Sequence, residues 1–418
     1  MEQALMLIVG LFVLEVVFGY WLEYLNISHI EKAGSIIPPE FEGHIDQGVL
    51  TRTRDYTVEH TRFGIVASVV NTVVILTFLF GGILPAYDSW VASLKLPFVL
   101  SGLIFFLLLS CASTVLSIPF SLYRSFRIEK KYGFNTMTPK LWVIDFIKSL
   151  LLSLSLMGIL IAAGLWIIQA SPGFWWFWAW TLFFAFTIFI MYISPYVIEP
   201  LFNKFEPIED ETLAEGIRRL AGKAGIRVSR ISRMDASKRT KHTNAYFTGI
   251  GKVKRIVIYD TLLERMEKSE ILAVLAHEIG HWKKRHLVKY LASVETLSLG
   301  IMYGSFELLK SNFFAGLFRI GNATLYTKLL FLVFFGSLVL FPLEPIFHYF
   351  SRKHEREADR FSHELTGDAG SMISTLVKLS KDNLSNLHPH PLYAAFHYSH
   401  PPVTERIRLI RGHDDKSR

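Results

Sequence analysis

The chain has 418 residues, 51% of them hydrophobic, 14% aromatic and only 19% charged, and its mean hydropathy is +0.34. A soluble protein of this length carries more charge, so the composition favours a membrane-embedded class. The net charge of +8 and the pI of about 9.3 fit basic loops on one side of a membrane. No basic run is interleaved with aromatics outside the apolar segments, so no nucleic-acid partner is expected. The single cysteine, Cys111, lies in an apolar run; it rules out an intrachain disulfide and a cysteine-based zinc site.

Residues 4–24 are almost wholly apolar, with no basic leader and no small-residue cleavage site, and read as a first membrane helix rather than a signal peptide. Residues 25–62 are polar and read as a loop with some short helix. Further spans are predicted at about 63–87, 96–122, 142–169 and 174–197, the last strongly aromatic at its start, as interfacial belts are. A basic helical stretch, 123–141, separates the third and fourth. Residues 199–286 change character: mixed charge, an amphipathic helix from Asp210 to Gly225, candidate strands at Val228–Met234, Ala245–Gly249 and Arg255–Tyr259, then a helix from Glu267 to His286. A weaker sixth span, 287–309, carries Glu295 and Glu307. A seventh, 329–350, is interrupted by Pro342 and Pro345, and the tail 351–418 is polar and helical.

The expected division is therefore 1–198, five membrane helices with loops; 199–286, a small α/β lobe; 287–350, two more membrane helices; and 351–418, a C-terminal helical segment. With seven crossings one face collects Lys32, Arg52, Arg54, Arg62, Arg124, Arg127, Lys130, Lys131 and Lys140. The opposite face has Lys95, Lys310, Arg319 and Lys328. The positive-inside rule puts the lobe and C-terminus in the cytoplasm and the N-terminus on the other side. The two crossings after the lobe return the chain to the lobe's side, so a ligand in the tail can reach a metal in the lobe. Glu15, Glu295 and Glu307 suit a wet interior better than a lipid-facing surface.

The chemistry centres on His277, Glu278, Ile279, Gly280 and His281. Two histidines four apart share one helix face and can grip one zinc ion, with the glutamate beside the first holding a water. A catalytic zinc wants three protein ligands and an open position. The tail run Ser351–Glu364 offers Glu355, with Asp359 four residues on and on the same face. Glu355 is a hard carboxylate ligand, and Asp359 an acceptor for the outer N–H of a ligating histidine. Glu357 points the other way and reads as a bystander, while His354 and His363 remain possible donors. With zinc on His277, His281 and Glu355, Glu278 takes the proton of an acidified water and passes it to the leaving amine. A donor for the developing oxyanion is also needed, and the residues alone do not choose among His388, His390, His397 and His400.

Seven stretches extend the pattern over most of the chain: FRIEKKYGFN (126–135), PLFNKFEP (200–207), TNAYFTG (243–249), KRIVIYDTLL (254–263), LAHEIGHW (275–282), SRKHEREAD (351–359) and YSHPPVTER (398–406). Together they closely resemble the type I CAAX prenyl protease family, the sterile-24-like integral-membrane zinc metalloproteases. The resemblance implies a mainly α, multi-pass protein whose seven long helices form a barrel around a large water-filled chamber, with one zinc per chain facing inward. It implies Glu355, not Glu357, as third ligand, Asn244 as a substrate-backbone contact beside an edge strand, and His400 and Arg406 as stabilisers of the tetrahedral intermediate. The substrates implied are membrane-associated peptides or proteins, prenylated in the case of CAAX processing. The C-terminal GHDDKSR has no evident endoplasmic-reticulum retrieval signal, which fits a compact, prokaryotic-type member in the inner membrane; a eukaryotic member belongs in the endoplasmic reticulum. The rival reading is a membrane transporter or channel with a structural zinc, which would want four protein ligands and no role for Glu278.

Overall fold

The computed structural model describes residues 2–249, 253–311, 313 and 323–417. Arg319, one of the sparse cations assigned to the far face, lies outside them. The membrane half begins with α1 (Glu2–Ala33), α2 (Gln47–Phe80), the short α3 (Ile83–Ser93), α4 (Phe98–Tyr123), α5 (Pro139–Ala170) and α6 (Trp175–Ile193). α1, α2 and α5, at 32, 34 and 32 residues, run longer than their apolar stretches. The segment read as a loop over 25–62 is instead the polar end of α1 and the polar start of α2, joined by a short turn around Phe41. Asp46 caps α2 by accepting from Val49 N–H at 2.8 Å. A helix of about 30 residues is ~45 Å long, more than a hydrocarbon core of ~30 Å, so these helices project into water.

Two single π-helical turns, Arg124–Glu129 and Ser194–Ile198, carry α4 and α6 onward past prolines at 119 and 195. After the first, Gly133 turns at φ 82°, and Asn135 bridges to Thr240, tying the membrane half to the lobe. Thr138 then caps α5, whose first residue is Pro139.

The lobe is a four-stranded sheet in the order β1-β2-β4-β3, with β1 Phe205–Pro207, β2 Arg227–Met234, β3 Ala245–Thr248 and β4 Val253–Tyr259. β2 and β4 pair in parallel, the other pairs antiparallel, and β3 is an edge. The amphipathic α7 (Glu211–Lys223) and α8 (Lys268–Lys283) cover the sheet. Leu213, Ile217, Leu220, Ile256, Ile258, Ile271 and Leu275 make one core between them. α8 starts with a capping box, Glu267 N–H donating to Glu270 at 2.8 Å.

The predicted helix Glu267–His286 breaks at Arg285, which stands at φ +57°, and α9 (His286–Lys310) starts at once. α9 packs on α6. α10 (Leu325–Leu340) passes through one 3-10 turn, Phe341–Leu343, into α11 (Glu344–Thr366). Pro342 and Pro345 therefore re-aim the seventh span without ending it. The 350/351 division falls inside α11. Among the described residues six segments are long and apolar enough to cross a membrane. The span not among them is the expected sixth, α9, which has the length at 25 residues but carries Lys289, Glu295 and Glu307, which keep it below that level. Three helices, α12 (Ala369–Asp382), α13 (Pro391–His397) and α14 (Val403–Ser417), fold the tail back over α8 and α11.

Candidate active site

α8 and α11 lie in close contact, and the reason is visible at one position. A Cβ on Gly280 would stand 3.0 Å from Ala358 Cα and 3.1 Å from Ala358 O, so only glycine lets the two backbones meet. That approach brings Glu355 against both histidines of α8. His277 Nε2 and His281 Nε2 are 3.1 Å apart, and they lie 3.3 and 3.2 Å from the two Glu355 oxygens.

A tetrahedral ion bound at about 2.0–2.1 Å separates its ligand atoms by about 3.3–3.4 Å. The observed spacings match that figure, and one donor atom from each of the three residues falls within 4.8 Å of the others. Glu355 Oε2 is buried without a hydrogen-bond partner, an acceptor left for something else. The residues fit a single small cation with imidazole and carboxylate ligands.

The surroundings reinforce this. His277 Nδ1–H donates to Asp359 Oδ1 at 2.8 Å, which leaves Nε2 free to face the cation. Asp359 is gripped in turn by the Arg406 fork, at 2.8 Å from Nε and 2.6 Å from Nη2. Arg406 Nη1 lies 3.9 Å from Glu355. Burial alone would depress the His277 ring, but Asp359 and Glu355 outweigh it and raise its pKa to about 9. Carboxylates that hold positive charge this firmly are the electrostatic complement of a metal ion. Burial also pushes the Glu278 carboxyl above its ordinary value, against the opposing pull of His277 and His281.

A cavity of about 1560 Å³ opens beside these groups. Glu278, His281 and Glu355 line it together with Tyr246, Phe247 and Thr248 of the edge strand. Asn244 is exposed just before that strand; its carbonyl accepts from Tyr259 N–H at 3.0 Å and its side chain from Ala245 N–H at 2.8 Å.

Of the four tail histidines, His400 alone is brought to the ligands, its Nε2 3.3 Å from Glu355 Oε1. His388 binds the Ile36 carbonyl, His390 caps α13 and faces His29, and His397 lies tilted against Tyr393. His354 stacks on His286, and His363 Nδ1 is buried without a partner. Glu357 is not a bystander: its Oε2 lies 3.1 Å from His286 Nε2, and His286 Nδ1 lies 3.1 Å from His281 Nδ1. Glu357 does point away from Glu355, but the left-handed turn at Arg285 carries His286 round to meet it. The spacing H-x4-H from His281 to His286 was the available signal; on a continuous helix it would have set the two rings on different faces.

Comparison with known proteins points the same way. Residues 26–204 match a family model described as the CAAX prenyl protease N-terminal region with five membrane helices, and residues 207–414 match peptidase family M48. The CAAX prenyl protease 1 homolog of Arabidopsis thaliana is 34% identical over 98% of this chain and 98% of its own. CAAX prenyl protease 1 of Saccharomyces cerevisiae is 33% identical, over 97% and 94%. The crystal structure of S. mikatae Ste24p superposes with a TM-score of 0.87 at 32% identity, covering 97% of this chain and 98% of that one.

Proposed function

The chain belongs to peptidase family M48 and carries the membrane helices of the CAAX prenyl proteases, and from that membership we propose a zinc-dependent endopeptidase that cuts peptides near the membrane–cytoplasm boundary. That it is an integral-membrane metalloprotease follows from the family itself. The zinc, the residue roles, the sidedness and the prenylated substrate are our reading. No fourth protein ligand joins His277, His281 and Glu355 among the described residues, so a closed structural zinc in a transporter finds no support.

When bound, the zinc supplies Lewis acidity that polarises the scissile carbonyl and acidifies a water. His277, His281 and Glu355 hold it. Glu278 takes the proton of that water and delivers it to the leaving amine; its raised pKa makes it a stronger base than an ordinary carboxylate. His400, its Nε2 3.3 Å from Glu355 Oε1, donates to the developing oxyanion, and Arg406 adds positive charge while fixing Asp359 and, through it, the His277 tautomer. The substrate adds to the free edge of β3 as an extra strand, with Asn244 meeting its backbone. Ile188, Met191, Leu287, Tyr290, Phe347 and Phe350 give the cavity an apolar wall, which suits a prenyl group. The basic loops put the lobe on the cytoplasmic side.

The observation that carries this reading is the tetrahedral spacing of three donors with Glu278 on the same cavity wall. The test pairs metal content with cleavage in detergent for the parent and Glu278→Ala, using a farnesylated C-terminal peptide and its unprenylated twin. We expect about one zinc per chain in both proteins, with cleavage in the variant reduced on the order of 10²–10⁴-fold. Unchanged cleavage would remove Glu278 from the mechanism. Equal cleavage of the twin peptides would remove the prenyl group from recognition.

A further inference from the structure

His277 and His281 belong to one motif, yet their outer nitrogens are served differently. His277 reaches a carboxylate directly, at 2.8 Å to Asp359. His281 reaches one through an intervening ring: its Nδ1 is 3.1 Å from His286 Nδ1, and His286 Nε2 is 3.1 Å from Glu357 Oε2. We propose that His286, backed by Glu357, is a positioning residue that fixes the tautomer and orientation of His281 toward the metal. The proposal rests on the zinc reading above.

The direction of the chain follows from donor and acceptor chemistry alone. An ionised carboxylate only accepts, so His286 Nε2 carries the proton that Glu357 receives. In a neutral imidazole His286 Nδ1 is then a bare lone pair. His281 Nδ1 must carry the proton facing it, which leaves the His281 Nε2 lone pair turned toward Glu355 and the cation site. Starting from a metal on His281 Nε2 gives the same assignment in reverse. With His286 neutral and Glu357 ionised, no other arrangement of protons satisfies both contacts, so the chain selects the ligating tautomer.

Two features show that the fold is arranged to hold this ring. His286 is only 5% exposed although it stands at the first position of α9, where side chains are usually wet. It is pinned by His354, stacked on it with ring centroids 4.1 Å apart and planes 14° from parallel. The residue before it, Arg285, adopts φ +57°, a left-handed conformation that glycine would take more easily. That turn swings His286 back onto His281 from a helix that has just ended; a straight continuation would carry it away.

The arrangement implies graded effects. His286→Phe keeps the ring shape and removes the acceptor for His281 Nδ1–H. His286→Asn gives up the ring but can set its Oδ1 where Nδ1 stood. Glu357→Gln still offers an oxygen to His286 Nε2–H, whereas Glu357→Leu does not. Glu357 is partly exposed, with 33% of its side chain accessible, so its substitution tests the chain with little effect on packing.

The experiment uses the full-length protein in detergent, with folding checked by melting temperature. It measures zinc and cobalt affinity by chelator competition and records the visible spectrum of the cobalt form. We expect His286→Phe to bind metal on the order of 10–100-fold more weakly, with an altered cobalt spectrum, and His286→Asn to recover most of that loss. Glu357→Gln should resemble the parent, and Glu357→Leu should fall between parent and His286→Phe. Parent-like affinity and cobalt spectrum in both His286→Phe and Glu357→Leu would overturn the proposal. So would a His286→Asn variant no better than His286→Phe, since a purely space-filling role predicts the opposite order. A parent that binds no zinc overturns the metal reading itself, an outcome distinct from either.

Discussion

In the membrane half the buried core is mainly apolar, and a buried polar group such as Asp88 is held locally. Ile8, Phe12, Leu84, Val91, Phe105, Phe331 and Phe334 form its core. Asp88 there is a self-contained case: it accepts from Thr324 N–H at 3.0 Å, from the Thr324 hydroxyl and from the Thr327 hydroxyl at 2.8 Å, holding the start of α10. In the catalytic half the buried charges interlock instead. Glu355, Asp359, Arg406, His277, His281, His286 and Glu357 form one continuous network. Hydrocarbon leaves no water to share between polar groups, so burying one there is costly unless neighbours satisfy it, as the threonines do for Asp88. A network is worth its desolvation only where its members act together. Buried charge is thus scattered where it supports the fold and pooled where it supports chemistry.

That contrast can be broken or sharpened by substitution. The largest effect is expected at Gly280→Ala, where the new methyl meets the Ala358 backbone and must push α8 from α11. Overpacking of this kind costs about 1–3 kcal/mol, but the shift also parts Glu355 from the histidines, so metal content and cleavage should fall together. A variant with full metal content would show that the network tolerates displacement. Asp88→Ala comes next: it leaves the buried Thr327 hydroxyl and the half-buried Thr324 hydroxyl without their acceptor, a loss of about 1–3 kcal/mol that should lower the melting temperature. Zinc content and cleavage per folded molecule should not change; if they do, the two halves are not independent.

The smallest effect is a pH slope at the seam between them. His242, near Thr240 where the lobe meets Asn135, is disfavoured as a cation by burial, yet the Glu129 carboxylate 3.6 Å away and a hydrogen bond with Asn383 win and raise its pKa above 6.5. A raised folded-state pKa means a contribution fully present below the unfolded value and lost as pH climbs through the folded one. Melting temperature should therefore decline as pH rises from about 6.5, and the His242→Gln profile should be flatter over that window. Parallel profiles would remove His242 from the seam.

The readable parts of the sequence were those set by local pattern. Apolar runs revealed the spans, alternation revealed β2, β3 and β4, and the four-residue spacings 277–281 and 355–359 placed each pair on one helix face. What escaped depended on joins. β1, three residues ending in Pro207, is too short to show a period and exists because β2 offers it a partner. The ends of α1 and α2 read as loop because their polar turns leave the membrane and lose the apolar signal. The contact between His286 and Glu357 was not legible because it depends on the single left-handed residue at Arg285, which no periodicity reports. The choice of His400 among four tail histidines likewise depended on the path of α13 and α14, information carried by tertiary packing.

The network also has an order of assembly in time. Arg406 follows His277 by 129 positions. At ordinary elongation of about 5–20 residues per second, the ribosome makes the HExxH pair about 6–26 s before the arginine that braces it, with Glu355 arriving in between. A chain still being threaded into the membrane therefore carries half a metal site and no support for it. On the roles proposed above, the full set of residues for cutting is present only after the last described membrane-spanning segment, Leu325–Thr366, has been made, so proteolysis is withheld while the chain is still being inserted.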